Sequence, residues 1–99
     1  TRVARTAAVY SPDGRFNVSN ARFKTDFTPI YDGCDCYTCA HYTKAYLHHL
    51  FKAKERLAAT LASIHNERFI VRMVDTARET IASGEYFQYR DEFLGRYYA

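Results

Sequence analysis

Three cysteines fall within six positions, as Cys34-Asp35-Cys36-Tyr37-Thr38-Cys39, and the chain has no others. An odd number crowded this closely makes poor disulfide material, because a disulfide imposes its own Cα separation and dihedral. A metal knuckle suits them better. Zinc takes four tetrahedral ligands, and three thiolates with one imidazole form a common closed structural set. The fourth ligand must then come from His41, His48, His49 or His65. A distant histidine beside Cys-x-Cys-x-x-Cys fits a mononuclear site better than an iron–sulfur cluster.

Helical geometry separates the histidines. For a helix starting near Thr38, a rotation of about 100° per residue puts His41 and His48 on one charged face with Lys44 and Lys52, where both are expected to be solvated. His65 instead lies within an apolar stripe, where its ring nitrogens need partners and a metal supplies one. A core histidine bonded to a carbonyl is the plainer reading of such a residue, but a knuckle lacking one ligand favours His65 as that ligand. His41 stays a competitor, since Cys-x-Cys-x-x-Cys-x-His is compact, although residues two apart on a helix point to nearly opposite sides. Four ligands leave no open position, so the metal is expected to hold structure rather than activate water.

The choice of His65 makes a demand on the elements. Cys39 and His65 are 26 positions apart, which as one straight helix would span about 39 Å, so the chain must fold back. Lys52-Ala53-Lys54, near the midpoint, has no strong core residue and is the expected turn of an antiparallel helical hairpin. Between Cys34 and Ser83 there is no proline or glycine, and the composition predicts helix almost throughout. Leu57, Leu61, His65, Phe69, Met73, Ala77 and Ile81 recur every four residues, supported by Ile64 and Val74, and are expected to form a buried face. Gly84 ends that run, and Tyr86, Tyr89, Phe93 and Tyr97 predict a short terminal helix. On the first helix Leu47, Leu50 and Phe51 make one apolar side, whereas Tyr42, Tyr46 and His49 form a second line, available to another protein surface or to a further part of the same polypeptide. Upstream, Ser11-Pro12-Asp13-Gly14 predicts the turn of a β-hairpin between Ala7–Tyr10 and Arg15–Val18. An irregular connector with one helical turn at Asn20–Lys24 should follow. The expected fold is therefore mainly α with a small N-terminal β-hairpin: a zinc-clamped antiparallel helical hairpin plus a short C-terminal helix. Residues 1–99 read as one unit, with 1–33 the basic hairpin and connector and 34–99 the knuckle and helices.

Ninety-nine residues, 47% hydrophobic and 16% aromatic, allow one small core that would benefit from a metal or a partner. The start at Thr1-Arg2-Val3-Ala4-Arg5 reads like the middle of a longer polypeptide, and no signal peptide, bilayer-length apolar run or lipid anchor is visible, so a soluble fragment is expected. Residues 1–25 carry five cations against Asp13 alone, a net +4, while the remaining nine cations and ten acids give −1. A basic end of this kind suits an anionic partner such as RNA. Asp75 with Glu79 and Asp91 with Glu92 lie among arginines and read as solvated charge rather than acid–base pairs. There is no glycine-rich phosphate loop and no serine nucleophile motif.

The sequence closely resembles the C-terminal end of the tRNA-guanine transglycosylases, also called queuine tRNA-ribosyltransferases. The resemblance is carried by Thr1-Arg2-Val3-Ala4-Arg5, Asn20-Ala21-Arg22-Phe23, the cysteine knuckle, Ala45-Tyr46-Leu47-His48-His49-Leu50 and Ser63-Ile64-His65-Asn66. It implies a parent enzyme built on a (β/α)8 barrel, which exchanges the wobble guanine of certain tRNAs for a 7-deazaguanine base through a covalent aspartate–ribose link in queuosine biosynthesis. The family's catalytic aspartates lie upstream of Thr1, so these residues alone are expected to be inert. The resemblance also implies that Cys34, Cys36, Cys39 and His65 are zinc ligands, that Arg2 and Arg5 contact the tRNA anticodon loop, and that Tyr42, Tyr46 and His49 match a homodimer contact in a cytoplasmic enzyme. Val3 stands where the family often has Asn, and Arg22-Phe23 where it often has Lys-Tyr. A stand-alone zinc module binding RNA or protein is the alternative of a different class, and a metal-free helical hairpin with incidental thiols is a third.

Overall fold

A computed structural model describes residues 2–99, with side chains from Ala4 onward. The chain opens with one helical turn, α1 (Arg2–Arg5), and continues into strands β1 (Ala8–Ser11) and β2 (Gly14–Asn17). These pair antiparallel, with Val9 opposite Phe16 and Ser11 opposite Gly14. The hairpin lies where expected, but both strands sit one residue closer to the turn. Ser11 and Gly14 join the ladder because the Ser11 hydroxyl accepts from the Asp13 N–H at 3.2 Å and donates to the Gly14 carbonyl at 2.8 Å, closing a two-residue loop. Glycine is required at position 14: its φ is +115°, and an added Cβ would lie 3.0 Å from the Tyr97 carbonyl oxygen.

The predicted turn at Asn20–Lys24 is a 3-10 helix over Ala21–Phe23, capped by the Asn20 side chain. The helical part is then cut into α2 (Tyr37–His41), α3 (Lys44–Lys52), α4 (Arg56–Ser83) and α5 (Tyr86–Tyr97). Neither interruption between α2 and α4 uses proline or glycine. At the first, Tyr42 is extended and the Thr43 hydroxyl accepts from the Tyr46 N–H at 3.2 Å, so a capping side chain starts a new helix. At the second, Lys54 adopts φ +59°, and the Glu55 N–H returns to the Leu50 carbonyl at 3.0 Å. That is the expected turn, and it brings α3 back onto α4. Gly84, at φ +81°, ends α4 as predicted.

The core joins Ala4, Val9, Val18, Ile30, Leu47 and Leu61, drawn from hairpin, connector and both arms of the helical hairpin. The four-residue stripe on α4 is buried only at Leu61, His65 and Phe69; Leu57 is 43% exposed and Ile81 63%. Each four-residue step overshoots a full turn by about 40°, so seven such positions wind round the helix instead of lining one face. The terminal helix packs back through Phe93 against Phe69, and its Arg96 pairs with Asp13 at the hairpin turn at 2.7 Å. Among the described residues no helix is long and apolar enough to cross a membrane.

Candidate metal centre

Cys34, Cys36 and Cys39 reach the same point by different local means. Cys34 ends the irregular connector, whereas Cys36 is the N-cap of α2 and its sulfur accepts the Cys39 N–H at 3.2 Å. One turn later Cys39 presents its own sulfur to the same side. Opposite them, in the buried part of α4, His65 Nδ1 lies 3.5, 3.3 and 3.4 Å from the three sulfurs in chain order. All four ligand atoms fall within 4.8 Å of one another. Ordinary zinc–sulfur and zinc–nitrogen bonds in a tetrahedron give sulfur-to-nitrogen edges of about 3.6 Å, so the donor set fits a four-coordinate ion. The cysteines are free thiols and His65 is fully buried.

The other imidazole nitrogen fixes the tautomer. His65 Nε2 lies 2.7 Å from the Tyr10 carbonyl oxygen, which can only accept, so Nε2 carries a proton and, in the neutral ring, Nδ1 is the nitrogen whose lone pair faces the cluster. Next to it, Asn66 accepts the Tyr10 N–H at 3.0 Å and donates to the Ala8 carbonyl at 3.0 Å. Two side chains of α4 thus satisfy the edge of β1 that β2 does not cover. The knuckle is anchored to α4 twice more. The buried Thr38 hydroxyl donates to the Leu61 carbonyl at 2.6 Å, and Arg68 grips Asp35 through two bonds of 3.1 and 2.9 Å, with Arg72 at 3.5 Å. Leu61, His65, Arg68 and Arg72 occupy successive turns of one helix side, which makes α4 the rail along which the knuckle is set.

The electrostatics call for a cation. Contacts from the Cys36 and Cys39 sulfurs hold the Cys34 thiol far below its usual value, whereas contacts with Cys34 and Cys36 push Cys39 far above it. Crowded sulfurs cannot all ionise without a compensating positive charge. Burial by itself would depress the His65 imidazole, but the Cys34 and Cys36 sulfurs and the Tyr10 carbonyl outweigh it and push the group up to about 9. A dication held by Cys34, Cys36, Cys39 and His65 would displace these protons and remove the conflict.

A family model described as Queuine tRNA-ribosyltransferase matches residues 1–99. The chain belongs to the queuine tRNA-ribosyltransferase family. It is 48% identical over 99 residues to the queuine tRNA-ribosyltransferase of Symbiobacterium thermophilum, covering all of this chain and 25% of that protein. Identity is 45% over 98 residues to the one from Caldanaerobacter subterraneus subsp. tengcongensis and 47% over 97 residues to the one from Helicobacter acinonychis, covering 99% and 98% of this chain and 26% of each relative. The chain therefore spans about a quarter of the length of these relatives.

The remaining candidate residues of the chain lie outside the cluster. His41 is exposed against the Tyr37 ring, 4.4 Å between centroids, which removes it as the competing ligand. His48 corrects the expectation of a solvated residue: it is 4% exposed, and its Nδ1–H donates to the Val18 carbonyl at 3.1 Å. The break at Tyr42–Thr43 resets the helical phase, so extrapolation from Thr38 points position 48 the wrong way. Tyr46 and His49 are exposed on α3, and Tyr42, although off that helix, still stacks on Tyr46 at 5.0 Å and 12°. Arg5 is exposed and has no ion pair with a described residue, while the Arg2 side chain lies outside the described residues. Sequence reasoning missed the supporting roles of Asp35, Thr38, Asn66, Arg68 and Arg72. The signal was there for two of them, since Arg68 and Arg72 stand three and seven positions after His65 and so share its side of the helix.

Proposed function

We propose that this chain is the zinc-binding C-terminal part of a tRNA-guanine transglycosylase, an enzyme that exchanges the wobble guanine of tRNA for a 7-deazaguanine base. The observation that carries the reading is the convergence of three sulfurs on His65 Nδ1 in a chain matched throughout by the family. Zinc is the ion favoured by a partly buried set of three sulfurs and one nitrogen with no carboxylate and no vacant ligand position. It would be held by Cys34, Cys36, Cys39 and His65, and would supply a cross-link between knuckle and α4 rather than a reactive centre. The chain's own residues do the rest: His65 and Asn66 set the position of β1, and Thr38 and Asp35 set the knuckle on α4.

In this reading residues 1–99 form one unit at the end of a (β/α)8 barrel, and the base-exchange chemistry resides in the rest of a cytoplasmic polypeptide. Arg2 and Arg5 would contact the anticodon loop, where arginine–phosphate contacts give sequence-independent affinity. Tyr42, Tyr46 and His49 meet a second copy of the enzyme, supported by the exposure of Tyr46 and His49 and by the aromatic stack that Tyr42 makes on Tyr46.

A chimaera tests the assignment: the matching quarter of the Symbiobacterium relative is replaced by this chain, and exchange of labelled guanine into tRNA is measured with zinc content. Exchange that is lost together with zinc in the His65→Ala chimaera is the expected result. A folded, zinc-loaded chimaera without exchange would overturn the transglycosylase reading, and undiminished exchange in a zinc-free one would overturn the metal's role.

A further inference from the structure

The three sulfurs that meet at His65 are not held alike. Cys36 and Cys39 belong to α2 and its cap, where the Cys39 N–H donates to the Cys36 sulfur at 3.2 Å and the Ala40 N–H to the Cys36 carbonyl at 3.0 Å. Between them the fully buried Thr38 bolts that helix to the Leu61 carbonyl of α4 at 2.6 Å. Cys34 stands before the helix, directly after Gly33, whose φ is +88° and where an added Cβ would meet nothing within 4 Å. Its N–H reaches the Tyr31 carbonyl only at 3.4 Å, beyond the usual range of such bonds, and the residue is partly exposed, whereas Cys36 is buried. The backbone at Cys34 thus has room to swing, and that at Cys36 and Cys39 has not.

Asp35 supplies the tie to α4 that Cys34 lacks. Its carboxylate is held by Arg68 at 3.1 and 2.9 Å and by Arg72 at 3.5 Å. The three side chains are between 41% and 53% exposed, so these pairs are weak singly and yield to salt. Their charges suit the place. Three thiolates and a neutral imidazole around a dication would leave one net negative charge, Asp35 adds a second, and the two guanidinium groups balance both.

We infer that Cys34 is the exchangeable ligand of this centre, whose sulfur swings out to admit and release the ion, and that Asp35 with Arg68 and Arg72 is the latch that closes it. The inference rests on the reading of the cluster as a zinc site. Cys36, Cys39 and His65 form a preset cup of three ligands, and Cys34 closes it last. Asp35, Arg68 and Arg72 are positioning residues, acting on the ion through the backbone of Cys34.

The zinc-loaded 99-residue chain is mixed with excess chromophoric chelator, and zinc release is timed at salt concentrations from about 0.1 to 1 M, over which the Debye length falls from about 10 to 3 Å. Asp35→Asn and Arg68→Gln/Arg72→Gln should release zinc about tenfold faster at low salt, the lower end of the effect of losing an outer partner because these pairs are exposed. Release from the wild type should quicken with salt and release from these two variants should not, while Asp35→Glu, which keeps the charge, should restore the salt response. Arg90→Gln, which breaks the exposed Arg90–Asp91 pair on α5, should match the wild type. N-ethylmaleimide added to the zinc-loaded protein, with the adducts mapped by mass spectrometry, should alkylate Cys34 first and Cys36 last. Circular dichroism confirms that each variant is folded. First alkylation at Cys36 or Cys39 overturns the role of Cys34, and an unchanged rate and salt response in Asp35→Asn overturns the latch, with the zinc site left standing in both cases. A folded chain that takes up no zinc overturns the zinc reading and this inference with it.

Discussion

The imidazole Nε2 of His65 donates to the carbonyl oxygen of Tyr10 across 2.7 Å and 55 positions of sequence. One ring therefore joins the knuckle, α4 and β1: Nδ1 faces three sulfurs while Nε2 holds the strand. His65→Ala should lose metal affinity by more than about 100-fold, since removal of a mere supporting partner already costs 10–100-fold. His41→Ala, on the exposed side of α2, should bind as the wild type does. Competition with a chromophoric chelator measures both, and full affinity in His65→Ala would disprove the ligand set.

Asn66 tests the strand side of the same joint. Its amide serves the Tyr10 N–H and the Ala8 carbonyl, both at 3.0 Å, and the residue is 4% exposed. Truncation to Ala strands a buried donor and a buried acceptor, for a cost of about 2–4 kcal/mol in urea unfolding of the metal-loaded protein. Hydrogen exchange at the Tyr10 amide should accelerate more than at amides near Gly84. Uniform acceleration across the chain would mean that Asn66 acts globally and not on β1.

Gly14 ties the hairpin turn to the terminal helix. At φ +115°, with the Tyr97 carbonyl oxygen 3.0 Å from where a Cβ would stand, Gly14→Ala meets both backbone strain and a close contact. The expected loss is about 1–3 kcal/mol, seen as a lower denaturant midpoint with an unchanged slope. Gly95→Ala, with nothing within 4 Å of its added Cβ and a place inside α5, should be neutral or stabilising. Equal effects at the two sites would show that neither the conformation nor the contact at Gly14 matters.

What the sequence disclosed follows from which constraints are local. The grouping of Cys34, Cys36, Cys39 and His65 was legible because a metal knuckle limits the donor types and a buried histidine needs partners, and the turn expected at Lys52-Ala53-Lys54, found at residues 53–55, followed from the distance between Cys39 and His65. His48 was misplaced because its face was extrapolated through Tyr42–Thr43, where a threonine cap restarts the helix without any glycine or proline to announce it. The α4 stripe was overextended for a geometric reason, since a strict four-residue repeat drifts round the helix. The bonds of Thr38 to Leu61 and of Asn66 to β1 depend on segments 23 to 58 positions apart being brought together, which no local pattern encodes.

The pH response of the metal-loaded and chelated protein should diverge. In the metal-free chain the His65 imidazole is raised from 6.5 to about 9, with burial opposing and the Cys34 and Cys36 sulfurs favouring the charged form. The stability this proton contributes is fully present below pH 6.5 and is lost as pH rises through about 9. Metal binding works in the opposite sense, because the ion needs a neutral Nδ1 and deprotonated sulfurs and competes with protons for all four. The difference in Tm between zinc-loaded and chelated protein should therefore widen steadily from pH 6.5 to 9, and zinc uptake near pH 7 should release protons, measurable by calorimetry in buffers of different ionisation enthalpy. His65→Ala should remove the proton contributed by the imidazole and flatten the fall in metal-free stability. A Tm difference that stays constant or narrows over this range would rule out competition between the ion and the protons of His65 and the thiols.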